Sequence, residues 1–279
     1  MRVMPIRVFT GTGGLTQLKA SFKKNWLHYI QEALGLAIFM ISACYLSAKL
    51  FSPQSNWYNL FANNMQRNLL MGVMMGSTAL FIFYSPFTAP SGSQINPAVT
   101  LTFLRLGKMC HWDAVFYITA QFIGGTLAVY IMQGLMGSVL INAPVHSAVT
   151  IPGTSGMWPA LITEFIIAFI TMTMVLFTSS NDKLKKYTRI IAGCFVCCWV
   201  IFAGPVSGFG MNPARTFASA LPANIWTSFW IYVFIPVAGM MCAAEVFLLI
   251  QMRNKKLEIN NEKVLAANSE LRTASNNKQ

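Results

Sequence analysis

Ser91-Gly92-Ser93-Gln94-Ile95-Asn96-Pro97-Ala98-Val99-Thr100 and Ser207-Gly208-Phe209-Gly210-Met211-Asn212-Pro213-Ala214-Arg215-Thr216 are the two stretches that decide how this chain is read. Both run Ser-Gly, three residues, Asn-Pro-Ala. Each is followed by a short apolar stretch, Val99 to Leu106 and Thr216 to Leu221. Neither stretch reaches the roughly 20 residues that cross a bilayer. The local chemistry predicts helix starts. Asn is a strong N-cap residue, Pro suits the first helical position, and Gly92, Gly208 and Gly210 allow unusual dihedrals just upstream. These are expected to be re-entrant half-helices, which a membrane tolerates only where the irregular backbone is buried in protein or faces water. One Asn-Pro-Ala would be an ordinary helix start. Two, in matching context, call for a common explanation.

The surrounding composition supplies it. The chain has 279 residues, 55% hydrophobic and 10% charged, with a mean hydropathy of +0.53. A soluble domain carries about a quarter charged residues, so a soluble protein is excluded. Six stretches are apolar enough to span: about Trp26 to Leu50, Asn68 to Phe87, Trp112 to Leu140, Trp158 to Phe177, Tyr187 to Ala203 and Trp226 to Ile250. Trp26, Trp112, Trp158 and Trp226 fall at segment ends, where an aromatic belt places them. The expected organisation is all-α: an N-terminal arm (1–25), a channel domain (26–252, with repeats at about 26–140 and 157–252), and a C-terminal tail (253–279).

The net charge of +12 is distributed by topology. Arg2, Arg7, Lys19, Lys23 and Lys24 precede the first span. Arg105 and Lys108 follow the second, and Lys183, Lys185, Lys186 and Arg189 follow the fourth. Arg253, Lys255, Lys256, Lys263, Arg272 and Lys278 end the chain. Only Lys49, Arg67 and Arg215 fall on the other face. This bias puts both termini in the cytoplasm. It makes the lipid bilayer the partner of the basic charge and argues against nucleic acid. The first 25 residues are basic and interrupted by Pro5, Gly11, Gly13 and Gly14, which is not the pattern of a cleavable signal. The first span is the expected insertion signal.

The halves echo each other. Glu32 in the first span and Glu164 in the fourth each place one carboxylate near the start of an apolar helix. Glu32 lies 64 positions before Asn96, and Glu164 lies 48 before Asn212. The excess is assigned to the polar loop near Ser52 to Gln66. Three spans per half is an odd number, so the second half enters from the opposite side as an inverted repeat. The half-helix N-termini then meet at mid-membrane, each with about half a positive charge from its dipole. Each Asn oxygen caps backbone N–H groups, which leaves the amide NH2 to face the lumen. Glu32 and Glu164 are read as structural anchors for the loop amides rather than as a proton relay.

On these motifs, Ser-Gly-x-x-x-Asn-Pro-Ala-Val-Thr and Gly-Met-Asn-Pro-Ala-Arg, the chain resembles the aquaporin and glycerol-facilitator family, the major intrinsic proteins, from Trp26 to Ile250. The resemblance implies six helices and two half-helices per protomer, one pore each, in a homotetramer of the plasma (inner) membrane. It implies that Asn96, Pro97, Ala98, Asn212, Pro213 and Ala214 form the pore centre. It also implies that Arg215, Phe209, Val200 and Gly76 form the outer constriction. The last position counts back without gaps, and an insertion near Ser85 to Pro90 would move it to Met71 through Met75. An aromatic at Phe209 beside Arg215, and Val200 where water-selective members have histidine, resemble glycerol facilitators. Gln94 stands where the family often has His, and Thr216, Ala220 and Tyr232 depart from the facilitator pattern, so a mainly water-selective channel stays open.

The expected solutes are water, glycerol and similar neutral molecules. No nucleophile–base set marks an enzyme, and no catalytic residue is assigned. Cys194, Cys197 and Cys198 point different ways on a helix and have no histidine nearby, so neither a metal nor a cofactor is expected. An ion-coupled transporter would also use inverted repeats. It would need mid-membrane carboxylates, and Glu32, Glu164 and Glu245 do not adjoin either turn.

Overall fold

The computed structural model describes residues 14–276, with side chains described as far as residue 262. Arg2, Arg7, Pro5, Gly11, Gly13 and Lys278, and the side chains of Lys263, Val264, Leu265, Leu271 and Arg272, lie outside the described residues. The regular structure is helical throughout: α1 (Gly14–Phe51), α2 (Asn56–Leu60), α3 (Asn64–Tyr84), α4 (Pro97–Arg105), α5 (His111–Met136), α6 (Ser138–Ile141), α7 (Met157–Ser180), α8 (Thr188–Phe202), α9 (Gly204–Ser207), α10 (Pro213–Ala223) and α11 (Phe229–Asn276).

The packing follows an inverted duplication. α1 lies along α5, and α7 lies along α11 in the same way. α3 and α8 pack against each other between the halves. Each half-helix crosses over: α10 packs on α5 and α4 packs on α11. Tight helix crossings need small residues. A Cβ on Gly124 of α5 would lie 2.2 Å from the Ala33 carbonyl oxygen of α1, and one on Gly239 of α11 would lie 2.7 Å from the Phe165 oxygen of α7. Glu32-Ala33 and Glu164-Phe165 are matching positions, so the same crossing is built twice. Outward, Ile123, Leu127, Ile131 and Leu135 form an exposed stripe on α5, and Ile162, Ile166 and Ile170 form one on α7. Apolar residues at this spacing mark a helix face, and such a face left in the open fits a bilayer, not water.

Four points differ from the sequence expectation. The six expected spans are α1, α3, α5, α7, α8 and α11, of which five are single helices long and apolar enough to cross a bilayer among the described residues. The expected fifth span forms α8, only 15 residues long, or about 22 Å at 1.5 Å per residue. It stops where Gly204-Pro205 begins a separate turn. Second, α1 starts at Gly14 and carries Lys19, Lys23 and Lys24 on a helical extension rather than an irregular arm. Third, the tail after Arg253 continues α11 as far as Asn276. Fourth, the longer first repeat is not due to its loop alone, because α3 has 21 residues against 15 in α8.

Gly124→Leu forces side-chain atoms into the α1 backbone, where nothing flexible can give way. Overpacking of this kind costs typically about 1–3 kcal/mol. The expected outcome is a lower melting temperature in detergent and loss of the monodisperse peak on size-exclusion chromatography. Gly134→Leu, whose Cβ meets nothing within 4 Å, should leave both unchanged.

Candidate pore and selectivity site

The two loops are built alike. Glu32 is fully buried. Its Oε1 accepts from Ser91 Oγ (2.6 Å) and the Gln94 amide (2.9 Å), and its Oε2 accepts from the Ile95 amide (2.6 Å). Glu164, equally buried, accepts from Ser207 Oγ (2.7 Å), the Gly210 amide (2.8 Å) and the Met211 amide (2.5 Å). Tyr117 Oη donates to the Ser91 carbonyl (2.9 Å), and Tyr232 Oη donates to that of Ser207 (2.7 Å). Even the dihedrals repeat. φ is positive at Gly92, Ser93 and Ile95, and again at Gly208, Phe209 and Met211. A β-branched residue such as Ile95 at φ 42° is held there against its preference, at roughly 1–2 kcal/mol. Charge-assisted bonds to a buried carboxylate, about 1.5–3 kcal/mol each, offset that cost.

Asn96 and Asn212 are the N-caps of α4 and α10, each followed by Pro at the first helical position. Asn96 Oδ1 accepts from the Ala98 amide (2.9 Å), and Asn212 Oδ1 accepts from those of Ala214 (3.0 Å) and Arg215 (3.1 Å). Pro97, Ala98, Pro213 and Ala214 form the buried first turns. The amide NH2 groups are not left wholly to the lumen. Asn96 Nδ2 donates to the Met211 carbonyl (2.8 Å), and Asn212 Nδ2 donates to the Ile95 carbonyl (2.7 Å). One hydrogen of each amide ties its loop to the opposite loop. The other remains for a solute.

Asn96, Asn212, Phe209 and Arg215 line one cavity of about 190 Å³. Arg215 is 9% exposed, and its guanidinium donates to the hydroxyl of buried Thr150. Thr150 belongs to the segment before α7. That segment is pinned to the second loop: the Gly153 amide donates to the Val206 carbonyl (2.9 Å), and a Cβ on Gly208 would lie 2.7 Å from the Ile151 oxygen. No motif marks Thr150; a short polar segment ahead of the fourth span is its one cue in the sequence. Phe39 of α1 and Thr171 of α7, at matching positions in the two halves, also line the cavity.

Two of the expected constriction residues, Val200 and Gly76, do not line this cavity. Val200 is partly buried and packs against both core clusters, the one with Met75 and the one with Phe209 and Met211. It is Val196, one turn away, that lines the cavity. Gly76 does not line it. A Cβ there would meet Cys197 Cβ at 2.8 Å and the Gly193 oxygen at 3.0 Å. Gly76, with Gly72 one turn before, is what lets α3 approach α8 closely. Its open side thus faces α8 rather than the cavity. Met71 and Met75 are the alternatives that pack in the cluster Val200 joins.

Two inverted half-helices, capped toward each other inside a helical bundle, define a multi-pass membrane channel. The profile described as "Major intrinsic protein" matches residues 19–247, and the chain belongs to that family. Among its relatives, "Aquaporin NIP2-2" of Zea mays is 28% identical over 223 residues, covering 80% of this chain and 70% of that one. "Aquaporin NIP1-3" of Oryza sativa subsp. japonica is 34% identical over 168 residues, covering 60% and 57%. "Aquaporin NIP2-3" of Zea mays is 33% identical over 162 residues, covering 58% and 52%, so the chain spans about half the length of that relative. Among solved structures, the X-ray structure of the aquaglyceroporin from Plasmodium falciparum aligns with a TM-score of 0.64 at 19% identity, covering 79% of this chain and 94% of that one. That likeness speaks for the fold. The chain is a channel and not an enzyme.

Glu164→Ala removes the acceptor of two loop amides and one hydroxyl. Unpaired buried donors cost about 1–3 kcal/mol each, so thermal unfolding in detergent should show a clear loss of stability. Glu164→Gln retains an acceptor and should fall in between. Asn212→Asp replaces a cross-loop donor with a charged acceptor. Cation conductance in planar bilayers should rise above that of the unsubstituted channel.

Proposed function

We propose that the channel passes small uncharged solutes, glycerol and similar polyols together with water, and excludes ions and protons. The observation that carries this reading is the pairing of Phe209 with Arg215 on the wall of the cavity that both Asn side chains face. An aromatic ring and a fork of donors on one cavity wall suit a polyol, whose carbons and hydroxyls lie on opposite sides. A fixed guanidinium and two helix N-termini oppose cations at the same place. The one-sided Lys and Arg distribution supports cytoplasmic termini in a plasma (inner) membrane. The homotetramer expected of the family completes the reading.

Stopped-flow light scattering on proteoliposomes tests it. Vesicles should shrink rapidly in sorbitol and, after glycerol is added outside, re-swell several-fold faster than empty vesicles. Fast water flux with glycerol flux at the background of empty vesicles would leave a water-selective channel instead. Saturable uptake driven by an ion gradient would indicate a coupled transporter. In Phe209→Ala the wall opens, and the preference for glycerol over larger polyols should fall several-fold.

A further inference from the structure

The cavity below the two Asn side chains opens on the face that holds the ends of α3, α4 and α7. Its rim carries Arg189 and Lys108, which make no ion pair among the described residues. Arg189, at the start of α8, lines the cavity. Its guanidinium lies over the Tyr84 ring, 5.5 Å from the centroid. Lys108 Nζ lies 5.5 Å from the ring of Phe103, which lines the same cavity. Ring faces within about 6 Å attract a cation but bring no negative charge.

None of the described carboxylates of this face pairs with Arg189. Glu245 holds Arg105 through two contacts, 2.7 and 3.0 Å. Asp182 holds Lys185 at 2.8 Å. Asp113 accepts from Asn25 Nδ2 (3.0 Å), Tyr29 Oη (2.6 Å) and Cys110 Sγ (3.2 Å). Glu258 and Glu262 lie exposed on α11 beyond the span. Among the described residues Arg189 thus keeps a positive charge at the mouth that a mobile anion can meet.

Between these cations stands Gln94. It lines both the pore cavity and the neighbouring polar cavity that Lys108 and Asp113 share. Its Oε1 is buried and has no hydrogen-bond partner among the described residues. A buried acceptor calls for a donor, and an anion alone cannot supply one.

We infer that this inner mouth binds a glycerol-phosphate group, with phosphoryl oxygens at Arg189, Lys108 adding attraction from the other rim, and a glycerol hydroxyl donating to Gln94 Oε1. Because the group lies in the conduction path, its binding obstructs the pore. The inference rests on the reading of this cavity as the path of small polyols. Guanidinium groups favour phosphate through paired N–H bonds. A glycerol phosphate can arrive as a soluble monoester or as the headgroup of an acidic lipid.

The test uses the full chain in phosphatidylcholine vesicles, with water and glycerol flux each measured with and without glycerol 3-phosphate on both sides. The ester should at least halve both fluxes. Inorganic phosphate, which brings no glycerol hydroxyl, should act more weakly. A parallel set of vesicles containing phosphatidylglycerol, without soluble ester, shows whether the headgroup supplies the same chemistry. Each variant is compared with its own anion-free flux. Inhibition should vanish in Arg189→Gln and persist in Arg189→Lys, and in Gln94→Leu it should fall to the level of inorganic phosphate. If neither source lowers flux, or if Arg189→Gln is inhibited as strongly as the unsubstituted channel, the site does not exist as described. Glycerol flux at background with water flux intact is instead a failure of the polyol reading, and the anion effect is then read on water alone.

Discussion

Backbone that is neither helix nor strand has no business inside a bilayer unless every N–H finds an acceptor. The two loops of this channel meet that condition through a pair of buried carboxylates. Glu32 comes from α1 and Glu164 from α7, and each takes one hydroxyl and two consecutive loop amides. The loops can then hold left-handed dihedrals at Ile95 and Met211 that no local preference would sustain. Those dihedrals turn the chain so that Asn96 and Asn212 cap the half-helices. The caps in turn set where the dipoles point. Everything at the pore centre depends on two side chains that never touch a solute.

Duplication explains the scaffold, and departure from it explains the chemistry. Gly124 and Gly239 serve the same crossing, and Tyr117 and Tyr232 serve the same loop carbonyl. Other positions break the pattern. Gln121 of α5 donates to Glu32 and Thr100, while the matching place on α11 is Pro236, which has no side-chain donor. Arg215 follows the second motif where Val99 follows the first. A channel with two identical halves would present the same wall from both sides. This one has a guanidinium on one approach and an apolar methyl pair on the other.

The features legible in the sequence were those whose local chemistry repeats. Asn-Pro-Ala announces a capped helix wherever it stands, and a lone glutamate in an apolar span needs partners, so the half-helices and their anchors could be read without coordinates. What escaped depends on rotation and distance. Gly76 and Met75 are neighbours in the chain but face α8 and the first core cluster respectively, and counting back along the chain cannot choose between them. Thr150 reaches Arg215 from a segment without any pattern. The shortness of α8 follows from Gly204-Pro205, which hydropathy alone does not weigh. The Asn amides were expected to donate only to the lumen. An amide has two hydrogens, and the structure divides them.

That division bears on how a pore can admit hydroxyls yet refuse protons. With one hydrogen of each amide fixed on the opposite loop, the side chains cannot rotate to offer their oxygens, which are already held by the caps. The centre is thus locked as a donor-only surface. A water there must accept, so its own hydrogens point away along both arms of the pore. A proton relay needs each member to accept on one side and donate on the other, and the central water cannot do so in one direction throughout. The dipoles alone would oppose a cation but leave water free to turn. On the proposed reading, it is the cross-loop hydrogen bonds, Asn96 to Met211 and Asn212 to Ile95, that convert a field into a fixed orientation. These bonds join the two halves of the duplication at the one point where both must act together.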